Sequence, residues 1–234
     1  MVSCSMQHPI VDSYYEEFYN LVHRRDTAKK ASELLQSDLE KTHSKKLFRN
    51  VIELGAGELF HLSSVKHQYE RYVAVDIRQP SSLDGWIEIQ EAKLPDAPGK
   101  YFLEGDASSI DFPDATFDRL VATCLLMHLN DPLSALAEWR RLVRPGGVLD
   151  ILVPCDPGFA VRAYRMFVSR RRAARLGFQY FDLVNALDHL HPVSSLITLA
   201  KFAFKDDDFS VDWYPFKIPS WNLNSHSVLR VIRK

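Results

Sequence analysis

The sequence predicts an α/β fold, a mostly parallel sheet with helices on both faces. Short β-prone runs recur along the chain and are nearly all apolar, as strands covered on both faces must be. Helical patterns alternate with them, the arrangement that builds a parallel sheet. Several runs end on glycine or a carboxylate, which places candidate ligand contacts along one sheet edge. A chain of 234 residues has the size of one domain with an elaborated edge, and buries a sizeable core without staples.

Residues 12–48 read as helical. Tyr14, Tyr15, Phe18, Tyr19 and Val22 recur at helical spacing, and Leu34, Leu35 and Leu39 form a second apolar stripe. The first strand, Val51-Ile52-Glu53-Leu54, ends at Gly55-Ala56-Gly57. Further runs lie at 72–76, 101–104, 119–123 and 148–153. The clearest helix between them starts at Asp131-Pro132, a cap residue followed by proline at the first helical position. Leu133, Leu136, Ala137, Trp139 and Val143 give it an apolar side, and Pro145-Gly146-Gly147 stops it. Residues 156–205 are mostly helical. The runs 209–214 and 228–232 read as late strands, joined by a polar connection too long for a tight turn.

Composition narrows the function classes. The chain is 46% apolar and 25% charged, ordinary for a globular protein. Its 29 basic and 30 acidic residues leave a net charge of -1, which excludes a polycation that binds nucleic acid through bulk charge. Cys4, Cys124 and Cys155 are isolated and odd in number, so neither a disulfide framework nor a CxxC metal site is expected, and a reducing cytoplasm is. No apolar run reaches the ~18 residues of a membrane span. The first ten residues lack a basic patch followed by an apolar core, so no secretory leader is expected.

Glu53-Leu54-Gly55-Ala56-Gly57 follows a predicted strand and precedes a predicted helix. Glycines there let the backbone turn sharply and approach a ligand closely. Asp76, nineteen positions beyond Gly57, ends the next strand and can take both hydroxyls of a ribose. Gly105-Asp106-Ala107 ends the third, where a side chain can reach a purine amino group. The third glycine of a dinucleotide fingerprint is replaced by Phe60, which disfavours a pyrophosphate and argues against a nicotinamide oxidoreductase. Glu53 would repel phosphate and suits an ammonium group. Each carboxylate alone could be a plain strand end, but three of them closing three strands point to one crevice.

These residues resemble the class I S-adenosylmethionine-dependent methyltransferases, in the small-molecule branch with a type 11 domain. The resemblance adds Phe117-Asp118-Arg119-Leu120-Val121-Ala122, Leu126-Met127-His128-Leu129 and Leu142-Val143-Arg144-Pro145-Gly146-Gly147, and covers roughly residues 48–153. It implies a Rossmann-like seven-stranded sheet with an antiparallel last strand. The donor S-adenosylmethionine would place its methionine moiety by Glu53, Gly55, Ala56 and Gly57. Its ribose would lie at Asp76 beside Ile77, and its adenine at Asp106 and Ala107. Thr123 to Leu125 would line the methionine side. The expected organisation is a single domain: a helical lid over 1–48, the donor core over 49–155, a helical acceptor region over 156–205 and a closing strand pair over 206–234. A weaker resemblance links 204–208 and 218–224 to bacterial methyltransferases of surface-polysaccharide and sugar pathways.

Methyl transfer from a sulfonium depends largely on positioning the acceptor, and needs a base only if the acceptor loses a proton. His128, just beyond the fourth strand, is the leading candidate base, the alternative being a packed histidine at a helix start. His189 and His191 are a base, substrate ligands or a capped loop. No metal site is expected, since Asp188, His189 and His191 lack a further clear ligand. Residues 159–178 carry Arg162, Arg165, Arg170, Arg171, Arg172 and Arg175 with no acid. They read as a solvated face, as an anion clamp in which Arg162 and Arg165 meet the substrate, or as a membrane-surface helix. Tyr14 is placed at the substrate as part of a lid, or else in core packing. Trp221, Asn222 and Asn224 supply a stacking face and amide hydrogen bonds suited to a sugar or polar ring, or else close the sheet edge and face nothing. The expected function is methyl transfer to oxygen or nitrogen of a polar, anionic small molecule such as a sugar or nucleotide sugar. The alternatives are a donor-binding module without catalysis and a nucleic-acid methyltransferase, for which the Asn-Pro-Pro-Tyr type motif is missing.

Overall fold

In the computed structural model the described residues are 8–23 and 26–234; Cys4 lies outside them. Helix α1 runs over residues 9–23, with a π-helical turn, Tyr14–Phe18, between two α-helical pieces. In chain order follow α2 (Asp26–Glu40), β1 (Leu47–Leu54), β2 (Gln68–Asp76), β3 (Ile87–Ile89), β4 (Gly99–Glu104) and β5 (Phe117–Thr123). Then come α3 (Pro132–Leu142), β6 (Val143–Pro154), α4 (residues 159–175, again with a π turn, Arg165–Ser169), α5 (Phe181–Asp188), α6 (Val193–Ala203), β7 (Asp208–Tyr214) and β8 (His226–Ile232).

The strands form one sheet in the order β3-β4-β2-β1-β5-β6-β8-β7. β1 to β6 pair in parallel, and β8 runs antiparallel to both β6 and β7. The sheet has eight strands where seven were expected. The extra one, β3, spans three residues at the edge and leaves Ile87 exposed, too short a run to show a period of two. β1 and β6 also start earlier than their apolar runs.

The helix expected directly after Gly57 is absent. Gly55, Gly57 and Leu59 all have positive φ, which a right-handed helix cannot contain, and only the 3-10 turn His61–Ser64 follows. Between β2 and β4, and between β4 and β5, the chain likewise forms no α-helix. The helical run expected over 12–48 ends at Glu40 and passes through a turn into β1.

One sheet face is apolar. Ile52, Val73, Leu120, Ile151 and Leu229 project into a core closed by α3 and α6. Asp131 caps α3 by accepting a hydrogen bond from the Ser134 amide at 3.0 Å, and Pro132 opens it. Ala135, Leu136, Trp139 and Leu142 then face inward at helical spacing. Trp139 is fully buried and its indole donates to the Ala107 carbonyl at 2.8 Å, so the helix is tied to the loop after β4. Burying a side chain of this size is worth about 3 kcal/mol.

The other face carries charge under its cover. Arg119 is fully buried between Glu40 of α2, at 2.8 Å, and Asp150 of β6, at 2.9 Å. Asp150 also meets His43 at 2.8 Å and Arg230 at 2.8 Å. Glu40 continues to His61 at 3.1 Å, and His61 to Glu53 at 3.5 Å. Burial disfavours each charge, yet the partners prevail: Glu40 is held at about 2 and Asp150 lower still. Burial alone would lower the pKa of His61, but Glu53 and Glu40 raise it to about 9. Among the described residues no helix is long and apolar enough to cross a membrane.

Removing one partner of such a cluster strands a buried charge. Arg119→Leu should therefore cost about 3–5 kcal/mol of stability, read as a drop in the urea midpoint. Arg49→Leu, which breaks an exposed pair 3.7 Å from Glu70, should cost less than about 1 kcal/mol. The stabilisation from protonated His61 is complete below its unfolded value of 6.5 and is lost as pH rises through about 9. Over that window the wild type should lose stability relative to His61→Gln; parallel pH profiles would refute the assignment.

Candidate functional site

A cleft of about 830 Å³ opens along the carboxyl edge of β1, β2, β4 and β5 and continues under α1, α4 and α5. β1 brings Glu53 to it, and the chain then turns through Gly55 and Gly57 at φ 67° and 52°. At Gly55 a Cβ would also sit 2.9 Å from Leu125, so both the turn and the packing require glycine. The amides of Gly55 and Ala56 donate to the Val75 carbonyl at 2.9 and 3.2 Å, which folds the loop back over β2.

Asp76 fixes this loop. Its Oδ2 accepts from the Gly57 amide at 2.8 Å and its Oδ1 from the Arg78 amide at 2.9 Å. A carboxylate has about four lone-pair sites, so two remain for ligand hydroxyls. Asp106 is held in the same manner, accepting from the Ser108 amide at 2.9 Å and hydroxyl at 2.5 Å. Ile77, Ala107 and Thr123 line the cleft beside these carboxylates. Cys124 follows with φ 54°, a strained backbone for a non-glycine residue, which aims the chain end of β5 into the site.

Glu53 is buried, and its Oε2 accepts from the Tyr72 hydroxyl at 2.8 Å. Its Oε1 accepts no hydrogen bond from the described residues. The His61 imidazole faces it at 3.5 Å, so the oxygen has a charge partner but still lacks a donor at good hydrogen-bond distance. An amino acid ammonium group meets that need, and a phosphate does not. The buried Glu53 carboxylate, the glycine turn and the two strand-end carboxylates together fit S-adenosylmethionine.

The π turn of α1 sets Tyr14, Tyr15 and Tyr19 along the cleft. Tyr15 donates to Asp188 Oδ2 at 2.6 Å, and the Arg78 guanidinium lies 4.6 Å over its ring. Tyr14 packs at 5.1 Å from Phe178 and 6.1 Å from Phe181, so it is both cleft wall and core. Burial pushes both hydroxyls up, and both remain protonated donors.

Two histidine–carboxylate pairs meet beyond the expected methionine side. His128 Nδ1 lies 3.1 Å from Asp188 Oδ2 and 3.0 Å from the Asp188 carbonyl. With Nδ1–H donating there, Nε2 is the nitrogen able to take a proton. His189 Nδ1 lies 3.0 Å from Asp156 and 2.6 Å from an Arg165 nitrogen, and the two imidazoles are 5.0 Å apart, edge to face. Burial lowers the pKa of His189, while His128 and His189 neighbours hold Asp188 below the usual carboxylate range despite its own burial. Ligating atoms of His128, Asp188 and His189 lie within 4.8 Å of one another. Asp188 already accepts from two groups and a guanidinium faces His189, so the trio is a hydrogen-bonded network and a poor cation site.

Four expected site residues lie elsewhere. His191 donates from Nε2 to the Leu129 carbonyl at 3.0 Å and does not line the cleft. Arg162 is exposed on the far side of α4, whereas Arg165, three residues on, reaches the cleft and is held by Asp156 at 2.8 Å. Asn222 accepts from the Phe159 amide at 3.3 Å and so caps the start of α4, with Trp221 exposed beside it. Asp156 and the position of Asp188 were not legible. Both depend on chain segments meeting across the cleft, although the adjacency of Asp188 to His189 is a usable signal.

A methyltransferase domain family model matches residues 52–151. Demethylmenaquinone methyltransferase of Renibacterium salmoninarum is 33% identical over 75 residues, which cover 32% of this chain and 30% of that protein. 2-Methyl-6-phytyl-1,4-hydroquinone methyltransferase 2 of Oryza sativa subsp. japonica is 32% identical over 118 residues, 50% of this chain and 32% of that protein. The chain thus spans about a third of the length of these curated relatives. The N-methyltransferase NodS from Bradyrhizobium japonicum, solved with S-adenosyl-l-homocysteine, shares the fold at a TM-score of 0.60 and 12% identity, over 95% of this chain and 96% of that one. Residues 52–151 of this chain thus match a methyltransferase domain, and the chain as a whole shares the fold of solved methyltransferases.

Proposed function

We propose that the protein transfers a methyl group from S-adenosylmethionine to a small acceptor with a flat, apolar body and an ionisable oxygen or nitrogen. One observation carries this reading. A single cleft runs from the glycine turn and Asp76 to the His128–Asp188 pair under aromatic walls. The donor supplies a methyl group already activated on a sulfonium. Glu53 would take the ammonium group, Asp76 the ribose hydroxyls, and Asp106 with Ala107 the adenine. His128 Nε2 would receive the proton the acceptor loses, with Asp188 fixing the tautomer and stabilising the imidazolium. Tyr15, bonded to the same carboxylate, would close α1 over the bound pair and exclude water.

The sugar or nucleotide-sugar acceptor expected from sequence loses most of its support. Arg162, Trp221 and Asn222 lie outside the cleft, and Arg165 is committed to Asp156. Tyr14, Tyr15, Tyr19, Tyr164 and Phe181 wall the acceptor end instead, which favours a ring. The names of the two curated relatives, for demethylmenaquinone and a phytyl hydroquinone, also specify ring acceptors.

S-adenosylmethionine or its demethylated product, at about 100 times its dissociation constant, should add roughly 2.7 kcal/mol, about 5–10 °C in the unfolding midpoint. No shift with either overturns the reading. Asp76→Ala should weaken donor binding about tenfold or more, the loss of a charge-assisted contact, with the fold intact. With a ring acceptor found by screening, His128→Gln should slow turnover by about 100-fold or more at unchanged donor affinity. Unchanged turnover would remove His128 as the base, and tight donor binding with no turnover on any acceptor would favour a regulatory module.

A further inference from the structure

We propose that the outward face of α4 is a docking surface for an anionic lipid bilayer. The exposed positions of this helix repeat at helical spacing and form one stripe. Phe159, Met166 and Phe167 are 75%, 51% and 53% exposed. Arg162, Arg170, Arg171 and Arg175 lie exposed on the same stripe. No acidic residue occurs between 159 and 178. Asp182 of α5 is the nearby carboxylate, 3.2 Å from Arg170, and it offsets one of the four cations.

An aromatic and a thioether side chain held in water between arginines are unexplained by a solvated helix face, which is polar throughout. An acidic protein or RNA backbone would satisfy the guanidiniums but not the apolar groups. A bilayer with anionic headgroups satisfies both: the apolar side chains enter the headgroup–acyl boundary while the guanidiniums snorkel to phosphate. Arg171 already stacks 5.5 Å over the Phe167 ring, so the charge and the apolar body share one footprint.

The stripe continues onto the loop that precedes β8. Asn222 receives the Phe159 amide through its side chain and the Ala160 amide, at 3.2 Å, through its carbonyl. A Cβ on Gly158 would lie 2.0 Å from the Trp221 carbonyl, so the loop and the helix start are packed with no intervening space. This sets Trp221, 42% exposed, beside Phe159, an indole at the edge of an apolar and basic patch. The opposite side of α4 presents Val161, Tyr164 and Arg165 to the cleft, so the bilayer face and the cleft share one helix.

Co-sedimentation of the full chain with vesicles tests this without reference to methyl transfer. Vesicles of mixed phosphatidylglycerol and phosphatidylcholine should retain the protein, pure phosphatidylcholine should not, and salt should release it. Arg162→Glu with Arg171→Glu should lower partitioning about tenfold or more, and Met166→Ser with Phe167→Ser should lower it too, at unchanged unfolding midpoints. All these positions are exposed and outside the cleft. Failure to bind the anionic vesicles overturns the proposal, as does binding that survives either pair of substitutions. Binding to an RNA oligonucleotide that exceeds binding to vesicles, and that the Met166/Phe167 pair leaves unchanged, overturns it in favour of nucleic acid.

Discussion

A buried guanidinium organises this molecule. Arg119 stands on the central strand β5 and touches Glu40 of α2 on one side and Asp150 of β6 on the other. Through Asp150 it is linked to Arg230 of the antiparallel strand β8, and through Glu40 to His61 and Glu53 at the cleft. Such pairs are poor sources of net stability, because desolvation cancels most of the attraction. They are strong constraints all the same, since any arrangement that separates the partners leaves a charge without water or counter-ion. The position of α2 over the sheet follows from that constraint together with the packing of Leu39 against Val121, Leu152 and Val228.

The same network reaches the chemistry. Glu53 belongs to both systems: one oxygen accepts from Tyr72 and the other faces His61 at 3.5 Å. The Tyr72 and His61 contacts thereby fix that carboxylate at the wall of the cleft. At the far end of the cleft Asp188 has the equivalent role. It collects a tyrosine from α1 and an imidazole from the turn after β5, so the placement of α1 and the orientation of His128 share one carboxylate.

Helix α4 illustrates how one sequence pattern can hold two meanings. Its six arginines read alike in one dimension, as a solvated face, an anion clamp or a membrane-surface helix. Packing separates them: Arg165 turns inward to Asp156 and Arg172 is half-buried, while Arg162, Arg170, Arg171 and Arg175 remain outside with Phe159 and Phe167. A single helical rotation divides a would-be substrate clamp into one internal contact and an external stripe.

The parallel sense of the central strands, the glycine turn, and the strand-end carboxylates Asp76 and Asp106 were determined by the sequence alone. Each is a local matter: apolar runs, a glycine where φ is positive, a carboxylate where a strand stops. The edge strand β3 and the missing helix after Gly57 were not legible. Three residues show no periodicity, and the left-handed turn at Leu59 carries no glycine to announce it. The buried charge network, the pairing of His128 with Asp188 and of His189 with Asp156, and the exclusion of His191, Trp221 and Asn222 from the cleft were decided only by tertiary structure. Their partners lie far apart along the chain, and only the closing of the sheet and the docking of α1, α4 and α5 bring such groups within hydrogen-bond distance.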